Sequence, residues 1–318
     1  MLAGGRAVYL DRSRTMMHLT LRQLKVFQAV AQHLNYTQAA RSLHLSQPAV
    51  SMQVKQLEES VGLPLFEQMG KKIQLTEAGH EVSQYARTIF QTFEEMEEVL
   101  DALKGAETGH LDIAVASTVN YFAPRLLAAF HRHYPGIELR LNVTNRKCLM
   151  ELLEANETDI VLMGSPPEAL DLESEPFMEN PLVVVAPPSH PLESQQPIPL
   201  ERLAEQTFVM REAGSGTRLA LERFFNDRGL VLRGGMQMTR NEAIKQAVRA
   251  GMGLGVVSRH TIELELETGR LLVLDVEGFP IQRQWYMVYR RGKRLSPAAT
   301  AFHDFVLAQA KQISESPI

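Results

Sequence analysis

Between Ser46 and Lys55 the chain reads SQPAVSMQVK, and its polar side chains recur at helical spacing. At 100° per residue, Pro48, Ser51, Met52 and Lys55 share one side of a helix, with Gln47 at the N-terminal rim and Ser46 as the cap. Val50, Val54, Leu57 and Val61 take the opposite side and must face a core. Gln and Ser can hydrogen-bond base edges, Lys can reach a phosphate and Met can meet a thymine methyl. The chemistry on offer is readout of a DNA groove. Further on, Gly70-Lys71-Lys72 sits between two short extended runs, so two lysines would stand at the tip of a β-hairpin, placed for phosphate or minor-groove contact. A solvated helix face and a solvated lysine pair are the plainer alternatives, and only the neighbouring elements decide between them.

A second set of polar residues gathers in the body of the chain. Ser117-Thr118, Thr144-Asn145, Ser215-Gly216-Thr217 and Asn241 each stand between an apolar run and a helical pattern. In an open α/β sheet, ligands bind outside the carboxyl ends of the strands. Hydroxyls, amides and free N–H groups at helix starts favour carboxylate or phosphate there. Singly, each group reads as a helix cap; several at one sheet edge make an anion cleft. Arg146, Lys147, Arg211, Arg218 and Arg240 lie close in sequence, but spacing does not say which of them point inward.

Enzyme chemistry is poorly served. Gly251-Met252-Gly253-Leu254-Gly255 is not the dinucleotide fingerprint, and Gly214-Ser215-Gly216 is not a nucleophile elbow. His131 and His133 are two apart and fall on different helix faces, against a metal pair. Cys148 stands alone and reads as a plain buried thiol in a reducing compartment. No catalytic residue, metal or cofactor is expected.

The elements that would position these residues follow from periodicity. Residues 20–34 carry one apolar face behind Thr20 as N-cap, and a second short helix is expected from Thr37. After a tight turn at His44-Leu45, Ser46 opens the third helix, with Pro48 in its first turn. Two helices joined by a turn in a basic segment read as a helix-turn-helix. Residues 1–75 hold nine Lys/Arg against four Asp/Glu, residues 76–107 two against eight, and the remainder 22 against 25. A basic head, an acidic bar and a near-neutral body mean that only the head meets an anionic polymer.

In the acidic bar, Ala78, Val82, Tyr85, Ile89, Phe93, Met96, Leu100 and Leu103 advance by threes and fours. A helix about 40 Å long with one apolar stripe needs a partner for that stripe. Val82, Ile89, Phe93, Met96 and Leu100 are the candidate dimerisation positions; packing on the chain's own body is the alternative. Beyond Gly109 the pattern becomes βαβαβ, then a Pro-rich stretch, then a second α/β series, suggesting two lobes with a cleft between them. No apolar run approaches a membrane span. Residues 1–17 lack the apolar core of a signal peptide and read as a disordered arm or an overlong start, which points to a cytoplasmic protein.

The block AARSLHLSQPAVSMQVKQLE (Ala39 to Glu58), then GLPLF (Gly62 to Phe66) and LTEAG (Leu75 to Gly79), closely resembles the winged-helix head of LysR-type transcriptional regulators. Many members carry Arg where this chain has Met52, and Arg in the wing where it has Met69 to Lys72, so base preference does not transfer. The resemblance implies an α+β multidomain chain: winged helix-turn-helix over 18–76, linker helix over 77–108, and a two-lobed periplasmic-binding-protein-like effector domain over 109–313. Lobe 1 would span 109–180 and 284–313, and lobe 2 181–283, the return of the last strand and helix coming from the resemblance alone. It also implies a homodimer or a tetramer built as a dimer of dimers, double-stranded promoter DNA as partner, and contact with RNA polymerase. The run from Ala116 to Arg146, with Met52, is similar to the subgroup controlling RuBisCO and other Calvin-cycle operons. That similarity implies an activator and a phosphorylated metabolite or NADPH as effector. The rival readings are a regulator of another operon sensing a carboxylate and, from a different class, a solute-binding protein. A catalytic α/β protein with a DNA-binding head comes third.

Overall fold

A computed structural model describes residues 19–70, 72–103, 108–167, 170–195 and 197–315; the expected arm over 1–17 and the wing residue Lys71 lie outside the described residues. The chain divides into two compact units that meet inside one helix, at Phe93 and Glu94.

The first unit opens with α1 (Leu21–His33), α2 (Tyr36–Ser42) and α3 (Gln47–Val61). Thr20 caps α1 in a capping box: its hydroxyl accepts from Gln23 N, and the Gln23 carboxamide accepts from Thr20 N. The expectation that Thr37 caps α2 is wrong. Asn35 does, its side chain accepting from the N–H groups of Thr37 at 2.9 Å and Gln38 at 3.1 Å. The short Asn carboxamide bonds its own backbone two and three residues on, so it wins the site and leaves Thr37 in the first turn. Ser46 caps α3 as expected, and Gly62 ends it in the left-handed region at φ 79°. Val50, Val54 and Leu57 are fully inward, with Val61 part-buried. Leu21 and Leu34 prove exposed, while Val26 takes a core position between them.

Strands β1 (Phe66–Met69) and β2 (Lys72–Leu75) pair antiparallel around Gly70, forming the expected wing. Glu58 fastens it to α3, its carboxylate accepting from Leu65 N at 2.8 Å and Phe66 N at 3.2 Å. Helix α4 then runs unbroken over Glu77–Leu103. A Cβ on Gly79 would lie 2.1 Å from the Leu65 carbonyl oxygen, so only glycine lets α4 approach this closely.

The second unit has two five-stranded sheets. Lobe 1 comprises β3 (Gly109–Ala116), α5 (Ala123–His133), β4 (Ile137–Thr144), α6 (Arg146–Glu154), β5 (Ile160–Met163) and β6 (Leu172–Glu179). Lobe 2 comprises β7 (Leu182–Ala186), α7 (Leu200–Ala204), β8 (Thr207–Arg211), α8 (Gly216–Asn226), β9 (Arg233–Met238), α9 (Asn241–Arg249), β10 (Leu254–Ser258), α10 (Glu263–Glu267) and β11 (Leu272–Leu274). The chain then returns to lobe 1 through β12 (Gln284–Arg290) and α11 (Pro297–Glu315). β3 pairs parallel with β4 and β5, as βαβ crossovers require, and β12 slots antiparallel between β5 and β6. The lobe 2 strands LVVVA and LGVVS are buried at every position, because helices and loops cover both faces. Between the lobes, Lys245 bonds Glu242 and Glu265, each at 2.8 Å, beneath the ring of Tyr121, and Arg125 pairs with Glu263.

Candidate functional site

The groove-reading face forms as its spacing dictates. Gln47, Pro48, Ser51, Met52 and Lys55 are all exposed on α3, Met52 at 55%. Ser46 spends its hydroxyl on the cap, accepting from Ala49 N, which leaves it oxygen lone pairs but places it at the helix rim. Thr37 is exposed in the first turn of α2. Lys55 lies 3.9 Å from Glu59 with both side chains largely in water, a pair worth little and readily given up to a phosphate. Lys72 is exposed at the start of β2.

The linker stripe divides in two. Val82 was an expected dimerisation residue, yet it packs with Ala78 and Ala86 on the winged helix, against Leu24, Phe27, Leu57 and Leu65. Here the strict three-four spacing points the stripe's first turns at the chain's own head. Tyr85, Ile89, Phe93, Met96 and Leu100 are exposed large apolar side chains on the same helix, at 37–68%. Such a row in water calls for a cover.

In the second unit, Ser117, Thr118, Thr144, Asn145, Ser215, Gly216 and Thr217 all line one cleft between the lobes. Ser117 and Thr118 follow β3, Thr144 ends β4, and Asn145 caps α6 by accepting from Cys148 N at 3.0 Å. Ser215 stands at the start of α8 without spending its hydroxyl on the cap. Asn241 is the exception: it is the first residue of α9, only 4% exposed, and does not line the cleft. Its amide nitrogen is buried without a hydrogen-bond partner, so helix position alone misplaced it.

The charges sort themselves clearly. Lys147 is exposed and lies 3.7 Å from Glu151. Arg218 is held by Glu222 and Gln237, and Arg211 is held bidentately by Glu212. Arg240 does not line the cleft. Arg146 does, and beside it stands Arg283, which the sequence reading did not single out. Arg146 donates to the Ser165 carbonyl at 2.6 Å, and Arg283 donates to the Gly216 carbonyl at 3.1 Å. Neither guanidinium has a carboxylate partner among the described residues. Burial pushes the pKa of both below the ordinary arginine value, and in Arg283 the neighbouring charge of Arg146 adds to the effect. Two desolvated like charges with neutral partners only form a site that an anion would relieve.

Other residues completing the cleft were also missed. Trp285 lines its floor with an indole N–H that is buried without a partner, as is the side-chain oxygen of Asn180. Gly164 keeps the wall thin: a Cβ there would sit 2.8 Å from the Arg283 guanidinium. The free volume is about 50 Å³, enough for a few waters or a small anion.

Comparison with known proteins fits this geometry. Residues 21–80 match the family of bacterial regulatory helix-turn-helix proteins of LysR type, and residues 104–311 match the LysR substrate binding domain. A RuBisCO operon transcriptional regulator of Allochromatium vinosum is 66% identical over 297 residues, covering 93% of this chain and 98% of that one. The RuBisCO operon transcriptional regulator of Acidithiobacillus ferrooxidans is 45% identical, covering 95% and 98%. Among solved structures, the regulatory domain of Synechocystis CcmR in complex with 2-PG is 43% identical, covering 65% of this chain and 99% of that one, with a TM-score of 0.62. The chain belongs to the LysR family of bacterial transcriptional regulators.

Proposed function

We propose that this regulator activates a RuBisCO or Calvin-cycle operon and that its cleft senses a small phosphorylated carboxylate. The observation that carries the reading is the pair Arg146 and Arg283, desolvated side by side with no carboxylate partner among the described residues, the cleft's Glu212 being committed to Arg211. Ser117, Thr118, Ser215 and Thr217 add hydroxyls around the same space, each bond worth about 0.5–1.5 kcal/mol. The complex of the related regulatory domain with 2-PG supports that reading. A dinucleotide such as NADPH is several times the size of such a small anion and would require the lobes to open. The Allochromatium relative supports a RuBisCO operon as target.

The exposed row from Tyr85 to Leu100 supports a second copy of the chain as its cover, so that two heads read two half-sites. A tetramer as a dimer of dimers and contact with RNA polymerase extend that reading, all in the cytoplasm where promoter DNA lies. The experiment is fluorescence anisotropy of a RuBisCO promoter fragment with the full chain, with and without 2-PG. Specific binding over random DNA, altered by 2-PG in wild type but not in Arg146→Met or Arg283→Met, is expected. Wild-type binding indifferent to 2-PG, or indifferent to promoter sequence, refutes the reading.

A further inference from the structure

The floor of the cleft holds two polar atoms for which the anion pair gives no account. Trp285 is 2% exposed, its ring fixed in the lobe 1 core beside Phe122 at 5.7 Å, and its indole N–H has no hydrogen-bond partner. Asn180 is 1% exposed, and its side-chain oxygen likewise has none. Both residues line the cleft. Asn180 stands between β6 and β7, where the chain crosses from lobe 1 to lobe 2, and its backbone N–H donates to the Arg283 carbonyl on the returning segment at 2.8 Å. That bond holds Asn180 beside the segment that leads into β12 and Trp285. The Arg283 guanidinium does not meet the Asn180 oxygen, being aimed at Gly216 and Ser165 instead. A buried donor and a buried acceptor left unmet are both costly, and folded proteins keep few of them.

We infer that Trp285 and Asn180 form a hydroxyl-selecting subsite in the floor of the cleft, so that the effector is a phosphorylated carboxylate carrying a free hydroxyl. The inference rests on the anion reading of the cleft and adds a neutral group that the arginines cannot recognise. A carboxylate or phosphate oxygen would accept from the indole but has no proton for Asn180. An ammonium would donate to Asn180 but would oppose both the indole N–H and the Arg283 charge. A hydroxyl accepts from the indole and donates to the carboxamide oxygen together. Water has the same valence and is the rival occupant. A ligand hydroxyl replaces that water and keeps both bonds, whereas a methylene displaces it and strands two buried polar atoms. A site built in this way rejects the analogue that lacks the hydroxyl. Trp285 follows Arg283 by two residues, which places the hydroxyl on a carbon close to the anionic group that Arg283 takes.

The test is calorimetric titration of the full chain with 3-phosphoglycerate and with 3-phosphonooxypropanoate, which lacks only the free hydroxyl. Wild type should prefer the hydroxylated anion by about tenfold or more. That preference, rather than either affinity, should shrink to about twofold or less in Trp285→Phe, which keeps an aromatic ring without the N–H. It should shrink equally in Asn180→Leu, which keeps the volume without the acceptor. A general weakening of the site would lower both affinities together and leave their ratio unchanged. Equal wild-type affinity for the two anions would mean that the floor holds water alone, and overturns the inference while the anion reading stands. A preference that survives in either variant puts hydroxyl recognition elsewhere and overturns it as well. If 2-PG binds and neither of these anions does, the inference fails alone; if none of the three binds, the anion reading fails with it. Should Trp285→Phe not fold, the ratio in Asn180→Leu decides.

Discussion

Replacing Arg283 by Met keeps most of the side-chain volume and removes one of the two cleft charges. In wild type the guanidinium holds one bond of 3.1 Å to the Gly216 carbonyl and a marginal one of 3.5 Å to Ser165 Oγ. Both are to neutral acceptors, and the adjacent Arg146 opposes the charge. The ligand-free protein therefore gives up little: one hydrogen bond, worth about 1 kcal/mol, against relief of a buried like-charge contact. With an anion bound, the balance differs. A charge-assisted bond contributes about 1.5–3 kcal/mol, so its loss should weaken 2-PG by about 10- to 150-fold at 1.36 kcal/mol per decade. Calorimetry measures the affinity, and thermal melting without ligand should place the variant within about 1 kcal/mol of wild type. Arg146→Met should behave alike, and the double variant should lose less than the sum of both, because the two arginines act on one ligand. Unchanged 2-PG affinity in Arg283→Met refutes the anion argument. A large loss of ligand-free stability would refute it differently, by making Arg283 a structural residue.

Other perturbations probe the remaining elements. Gly164→Ala would drive a Cβ to 2.8 Å from the Arg283 guanidinium, a movable group, so the fold should survive while 2-PG affinity falls by a smaller factor than in Arg283→Met. Lys72→Ala should weaken specific and random DNA alike and lower the salt slope by about one unit per lost phosphate contact per subunit; a loss confined to the cognate site would mean that the wing reads bases. Phe93→Asp places a charge in the exposed row of α4, and sedimentation should show dissociation with loss of operator binding; an intact oligomer would assign that row to another partner. Lys245→Met strands Glu265 in a buried setting and should cost about 3–5 kcal/mol by denaturant melting, with a near-wild-type midpoint counting against the buried pair.

The head was legible because its determinants are local. Thr20, Ser46, Pro48 and Gly62 act within four residues of their own positions, and the core face of α3 follows from a period of 3.6. Asn35 shows the limit even there: Thr37 and Asn35 are both acceptable caps, and the choice depends on where the loop after α1 turns, at Leu34 in the left-handed region. The linker stripe was visible as a period but not as an allocation. Nothing in the spacing tells Val82, packed under the head, from Ile89, which is exposed; only the close approach that Gly79 permits brings the first turns of α4 against Leu65.

The cleft was half legible for a different reason. Ser117, Thr144 and Ser215 sit at or beyond the carboxyl ends of β3, β4 and β8, so topology gathers them once the α/β pattern of each lobe is seen. Arg283 and Trp285 belong to the strand that returns from lobe 2, and their contacts close over long chain separations: 67 residues from Arg283 to Gly216 and 118 to Ser165. No local pattern encodes that return. What the sequence does hold is the pairing of an arginine with the chain's only tryptophan just before a YMVY run. That return is also what makes the site electrostatic rather than merely polar. Without Arg283 the cleft would offer hydroxyls, helix starts, Arg146 and an Arg211 already paired with Glu212, enough for any small polar ligand. With it, two desolvated guanidiniums with only neutral partners favour a ligand carrying at least two negative charges, because each added charge on the ligand meets its own cation in a medium that screens weakly.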